Sequence, residues 1–296
     1  MLKINKSLLT FICLVIIGGA LYWTIDAKKT HNKALQAINS TEKEKTVAKV
    51  AAKKTVKVEK KPTPVVKAQV KEKPQIKATE NKNGSKERSE MVIVIDPGHA
   101  SITSGEEEPQ APGSSIMKVK EPGGAEGINT KTPEYVVNME VAVRLEKLLQ
   151  KKGYTVKMTK TEHNQMLGNI ARAEVGNKAL ANLVIRIHAD GNDDSSVTGA
   201  SMLVPTNTKN TDSIYKASKK YGEIVFKSLI KNVGMKDRGV VERDDMTGFN
   251  WSKVPVILVE MGFQSNAYED KKLTTGTYQD KIAKALSEGI DQALIE

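Results

Sequence analysis

Beyond residue 90 the apolar positions keep two rhythms, unbroken runs of strand length and runs spaced three or four residues apart. Met91 to Asp96 is the first unbroken run and reads as a buried strand. Pro133 to Lys152 follows the second rhythm, placing Val137, Val141, Leu145, Leu148 and Leu149 on one helical face before Gly153 stops it. The same reading predicts strands over Tyr154 to Thr159, Leu183 to His188, Gly199 to Pro205 and Val254 to Glu260. Helices are predicted over Leu167 to Ala181, Ile214 to Val233 and Tyr278 to Leu294. Strands alternating with helices predict an α/β fold, a single domain with a largely parallel twisted sheet covered by helices on both faces. Residues 91–296 suit one such domain, and no internal repeat divides them.

Upstream the pattern is different. Leu8 to Ile25 is an uncharged, mostly apolar stretch of 18 residues. As a helix it would be roughly 27 Å long, close to the hydrocarbon thickness of a bilayer. Lys3 and Lys6 precede it and no A-x-A cleavage site follows, so residues 1–25 are expected to be an uncleaved signal anchor, or a removed peptide in a secreted form. Lys28, Lys29, Lys33, Lys43 and Lys45 outnumber the two lysines before the span, so charge does not set its orientation. A short tail before a long domain favours an exported, extracellular domain. Cys13, the single cysteine, lies inside the span, so the exported part has neither a disulfide nor a thiolate ligand.

Charge separates the next segment from the domain. Residues 26–90 carry 18 Lys plus Arg against 8 Asp plus Glu, in low-complexity order such as Thr46-Val-Ala-Lys-Val50 and Lys61-Pro-Thr-Pro64. With almost no large apolar side chains this stretch cannot bury a core and is predicted to be a basic, disordered linker. From Met91 onward 26 basic residues meet 27 acidic ones, so the excess positive charge lies upstream, +10 in the linker and +2 before it, and the domain is near neutral. A nucleic-acid partner loses its support. The linker's cations suit anionic lipid headgroups or acidic wall polymers.

The chemistry gathers at predicted strand ends. Two of the four histidines, His99 in Val94-Ile-Asp-Pro-Gly-His-Ala100 and His188 in Val184-Ile-Arg-Ile-His-Ala-Asp-Gly191, stand where apolar runs give way to polar or glycine-containing sequence. In an open α/β sheet this aims two imidazoles at one edge, where ligands collect. Two nitrogen donors need a third ligand for a zinc site with an open position, and carboxylate is the remaining choice. Glu134, opening a helix behind Pro133, competes for that role with Glu140, Glu126 and Glu121, and a first-turn Glu is already explained by the helix dipole. Glu260 ends an apolar run, where desolvation would raise its pKa into the range of a general base. Asp190 is either a carboxylate supporting a ligand or a turn former. Arg172 and Arg186 either contact an anionic substrate or form salt bridges, and His31 and His163 read as bystanders. Gly98 reads as the residue that lets the chain turn sharply into His99.

Four segments together carry a resemblance: Ile93-Val-Ile-Asp-Pro-Gly-His99, Glu134-Tyr-Val-Val-Asn138, Ile187-His-Ala-Asp-Gly-Asn192 and Val259-Glu-Met-Gly-Phe-Gln-Ser-Asn266. They resemble the zinc-dependent N-acetylmuramoyl-L-alanine amidases of the amidase-3 type, over nearly all of residues 91–296, and Lys152-Gly-Tyr-Thr-Val156 and Arg238-Gly-Val-Val241 also fit. By that similarity His99, Glu134 and His188 match the zinc ligands and Glu260 the catalytic glutamate. The resemblance implies a peptidoglycan hydrolase in cell-wall remodelling that cuts the amide between N-acetylmuramic acid and the L-alanine of the stem peptide. Two other readings compete, a zinc peptidase cutting within the stem peptide and a non-catalytic, membrane-tethered wall-binding regulator. The chain departs from the pattern at Ala100, where a glycine usually follows the histidine, and in the long connection from Ser101 to Thr132. That connection is a candidate for substrate selection, partner binding or autoregulation, or an unstructured insert. No wall-binding repeat accompanies the domain and no activator protein is indicated, so targeting would rest on the anchor and linker.

Overall fold

The computed structural model describes residues 87–295, so the anchor at 1–25 and nearly all of the linker lie outside the described residues. Among those described, no helix is long and apolar enough to cross a membrane. The linker was expected to reach Glu90, but Arg88 already belongs to the folded unit. Its Nε donates to Asp291 Oδ1 at 2.7 Å, a carboxylate that Lys152 and Tyr154 also reach.

Six strands form the main sheet: β1 (Val92–Pro97), β4 (Thr155–Met158), β5 (Leu183–Asp190), β6 (Ala200–Pro205), β7 (Asp237–Arg243) and β8 (Val256–Phe263). Their order is β4-β1-β5-β8-β6-β7, and every pairing is parallel except β6 with β8. The helices are α1 (Glu134–Lys151), α2 (Asn169–Lys178), α3 (Asp212–Val233), α4 (Thr247–Asn250), α5 (Ala267–Leu273) and α6 (Gly276–Ile295). Gly153 ends α1 with φ of 100°, a conformation that residues bearing a Cβ rarely adopt.

Strand alternation divides the core. Ile93, Ile95, Ile185 and Ile187 point into a large apolar layer with Val137, Val141 and Leu145 of α1, Val225 and Leu229 of α3, and Ile282 and Leu286 of α6. Val94, Val184, Val256 and Leu258 point the other way, into a smaller layer with Ala181, Phe249 and Val254. The α/β architecture with a mostly parallel, two-faced sheet therefore holds.

Three features were not read from the sequence. β7 is a half-exposed edge strand whose burial does not alternate cleanly. Helices α4 and α5 are too short for a periodic signal. The connection from Ser101 to Thr132 is not an unstructured insert, since β2 (Ser104–Pro109) and β3 (Met117–Glu121) pair antiparallel as a separate two-stranded sheet. Its first strand reads Ser-Gly-Glu-Glu-Glu-Pro, with no apolar alternation to announce it.

Candidate metal centre

β1, β5 and β8 lie side by side and run parallel, so their carboxyl ends open at the same edge of the sheet. The chain leaves β1 through Gly98 into His99, while His188 lies on β5 in register with Glu260 on β8. Glu260 does not end its strand as expected. β8 continues to Phe263, and the register with β5 shifts between His188 and Asp190. Glu134 enters from the first turn of α1, held there because its N–H donates to Ala125 O and Glu126 bridges Pro133.

These side chains converge. His188 Nδ1 lies 3.1 Å from Glu134 Oε1 and His99 Nε2 lies 3.4 Å from Glu134 Oε2. Ligand-type atoms of His99, Glu134 and His188 all lie within 4.8 Å of one another. Glu260 lines the same cleft, of about 330 Å³, with Gly123, Gly124 and Asp190. The backbone is kept out of the way by glycine. A Cβ on Gly98 would stand 2.3 to 2.6 Å from three atoms of the His188 ring, and one on Gly124 would stand 2.5 Å from Glu134 Oε2. Gly98 thus serves close packing, and the left-handed residue of this turn is His99 itself, with φ of 58°. A non-glycine residue held there costs on the order of 1–3 kcal/mol, which neighbouring contacts must offset.

Electrostatics favour a cation. Burial alone would raise the pKa of Glu134, but His188, His99 and Asn138 hold it down to about 2, and Ala125 and Ala189 also donate their N–H groups to it. Burial pushes His188 down to about 4 despite the Glu134 carboxylate, so its imidazole is neutral near pH 7, and its buried Nε2 has no hydrogen-bond partner among the described residues. Burial, with the nearby Glu134 and Asp190 charges, raises Glu260 well above the ordinary carboxylate range, and its shielded Oε2 has no hydrogen-bond partner among the described residues. The neutral His188 imidazole, the His99 imidazole and the ionised Glu134 carboxylate are a donor set that fits Zn²⁺, which takes nitrogen and oxygen ligands with a position left open.

The remaining candidates separate cleanly. Glu126 is exposed, and Glu140 accepts from Gln279 away from the cleft. Glu121 does not join the ligand atoms but lies 2.8 Å from His99 Nδ1. Asp190 accepts from the Gly191 N–H, as a turn former does, and it also lines the cleft. His163 makes a ring contact with Tyr135 and is no part of the site, and His31 lies outside the described residues. Arg172 and Arg186 form salt bridges, both clasping Asp96 at 2.8 Å, so neither is presented to a substrate. Buried between them, Asp96 is held far below its ordinary pKa although burial alone would raise it.

Sequence reasoning missed Lys160, which is only 2% exposed, with an Nζ lacking a hydrogen-bond partner among the described residues. Burial and the Arg172 charge lower its pKa to about 8. It missed Glu108 too, whose carboxylate accepts from the Asn169 and Ile170 N–H groups and pins the β2–β3 hairpin to the start of α2. Neither carries a local signal, since an acidic run and a lone lysine both read as surface.

Two imidazoles and two carboxylates gather at this α/β sheet edge, a group that could hold a metal ion. The chain belongs to the Amidase_3 family, described as N-acetylmuramoyl-L-alanine amidase, whose model matches residues 93–292. It is similar to the N-acetylmuramoyl-L-alanine amidase LytC of Bacillus subtilis (strain 168), 30% identical over 199 residues that cover 67% of this chain and 34% of that protein. The match thus spans about a third of that relative's length. Among solved structures, the catalytic domain of CwlV, an N-acetylmuramoyl-L-alanine amidase from Bacillus (Paenibacillus) polymyxa var. colistinus, is 25% identical with a TM-score of 0.57, over 69% of this chain and 98% of that one. The N-acetylmuramyl-L-alanine amidase Ami1 from Mycobacterium smegmatis shares the fold with a TM-score of 0.64 at 22% identity, over 70% of this chain and 98% of that one.

Proposed function

We propose that this chain is a zinc-dependent peptidoglycan hydrolase that cleaves the amide between N-acetylmuramic acid and L-alanine. The observation that carries this reading is the convergence of His99, Glu134 and His188 in a cleft shared with Glu260, whose buried Oε2 has no hydrogen-bond partner among the described residues. His99, Glu134 and His188 would hold the ion. When bound, zinc supplies a Lewis acid that acidifies water and polarises a carbonyl.

The chain's own groups do the rest. Glu260, made basic by burial and by its acidic neighbours, takes a proton from the attacking water and returns it to the departing amine of L-alanine. The C–N bond breaks, leaving the lactyl carboxylate on the sugar and a free amino terminus on the peptide. Surroundings that favour an ionised Glu134 and a neutral His188 suit both to hold the ion. Residues 1–25 would anchor the enzyme in the membrane, with the basic linker against anionic lipid or wall polymer and the domain facing the wall.

The test is digestion of purified peptidoglycan by the full chain, with and without chelator, and mass spectrometry of the products. Release of intact stem peptides from intact glycan is expected, whereas cuts within the stem would identify a peptidase. Glu260→Ala is expected to lose activity by about 10²–10⁴-fold while keeping its fold and zinc. A Glu260→Ala protein that still releases peptide would remove Glu260 from the mechanism.

A further inference from the structure

The segment between His99 and Glu134 contributes no atom to the reaction above, yet it carries a carboxylate onto His99. β3 ends at Glu121, which is 3% exposed. Its Oε1 lies 2.8 Å from His99 Nδ1, and its Oε2 lies 3.3 Å from Arg172 Nη2. A carboxylate paired with a guanidinium only accepts hydrogen bonds, so the imidazole nitrogen facing it must carry the hydrogen.

We propose that Glu121 is a positioning residue for His99: it accepts the Nδ1–H, fixes that tautomer and ring orientation, and leaves Nε2 turned toward Glu134 as the free donor. The consequence for metal rests on the zinc reading of the site; the contact itself does not.

Three observations show how firmly Glu121 is held. Arg172 donates not only to Glu121 but to Pro97 O at 2.9 Å and His99 O at 3.4 Å, so one guanidinium grips both the left-handed turn and the carboxylate that orients its ring. Arg172 is itself fixed by Asp96, which Arg186 and the Thr159 hydroxyl also hold. The hairpin that delivers Glu121 is fastened at its far side, by Glu108 at the start of α2 and by the Trp251 indole donating to Pro109 O at 2.9 Å. The long connection therefore acts as a strut whose working end is Glu121.

Two measurements on the full chain, wild type against Glu121→Ala and Glu121→Gln, test this. In metal-free protein, long-range proton–nitrogen spectra of the imidazoles are expected to place the His99 proton on Nδ1, a preference that Glu121→Ala abolishes. In competition with a chelator, Glu121→Ala is expected to bind zinc about 10–100-fold more weakly. Glu121→Gln, which keeps an oxygen acceptor, should fall between. Glu106→Gln, altering an exposed carboxylate of the same hairpin that pairs with Lys120, should leave both readouts unchanged. Wild-type zinc affinity in a folded Glu121→Ala protein, or a wild-type His99 proton on Nε2, overturns the proposal. If Glu121→Ala does not fold, wild-type behaviour of Glu121→Gln in both readouts overturns it equally. Absence of zinc binding by the wild type would instead defeat the metal reading, and the spectra would still decide the role of Glu121.

Discussion

On β1, Ile93 and Ile95 enter the apolar layer under α1, α3 and α6, whereas Asp96, in step with Val94, faces the opposite layer and meets Arg172 and Arg186. β5 repeats the contrast, with Ile185 and Ile187 on one side and Val184 and Arg186 on the other. Both layers are buried, but they do different work. Apolar contacts are non-directional and stabilise in proportion to area. Buried ion pairs recover little net stability after desolvation, yet each hydrogen bond fixes a direction. The candidate centre stands at the end of the ionic layer, whose Asp96–Arg172–Glu121 chain terminates on the His99 ring.

The sharpest test sets one residue from each layer against the other. Asp96→Ala leaves two buried guanidinium groups short of their carboxylate and should destabilise by about 3–5 kcal/mol, against about 2–5 kcal/mol for Leu145→Ala. The two losses should part with pH in urea titrations. The folded-state pKa of Asp96 is depressed, so its contribution is fully present above the unfolded value of about 3.9 and fades as pH falls toward the folded value. The Leu145→Ala penalty should stay flat across that window, and parallel pH profiles for the two variants would erase the distinction between the layers.

Lys160 probes the ionic layer from the other side. Its folded pKa of about 8 lies below the ordinary 10.5, so the unfolded chain binds its proton more tightly and charge at this site opposes folding near neutral pH. Lys160→Met should therefore stabilise at pH 7, by at most about 3 kcal/mol, with a gain that shrinks as pH rises from about 8 to 10.5. Thermal melts across that range measure it, and a destabilised variant at pH 7 would mean that the ammonium is needed beside Asp96 and Glu121. The smallest effect concerns spacing alone. Gly98→Ala pushes a methyl group into the His188 ring, so the ring or the turn must move, and it should lower hydrolysis about 10²-fold through misplacement while destabilising by about 1–3 kcal/mol in thermal melts.

Much of the architecture was legible because its signals are periodic. β1, β5, α1, α3 and α6 carry unbroken or 3.6-spaced apolar patterns, and the structure departs from the predicted ends by only a few residues. The hairpin was not legible, because β2 is held by Glu108, Pro109 and Ser104 through polar contacts and pairing, with no apolar face. The site was half legible. His99 and His188 could be placed by strand ends alone, whereas Glu134 stood level with Glu121, Glu126 and Glu140 until resemblance chose among them. Glu121, weighed as a ligand, proved to touch the back of a candidate ligand instead.

The sequence by itself determined which chemistry was available, since its single cysteine lies in the apolar N-terminal run and only nitrogen and oxygen donors remain for the domain. It also placed both histidines where apolar runs give out, because apolar runs of strand length are a local property, although β5 continues through His188 to Asp190. Tertiary structure alone decided that Glu134 meets both imidazoles, that Arg172 and Arg186 turn inward to Asp96, and that a carboxylate 22 residues after His99 sets the face of its ring. Those choices depend on distances between elements far apart in the chain, which neither the period of a pattern nor the identity of a residue encodes.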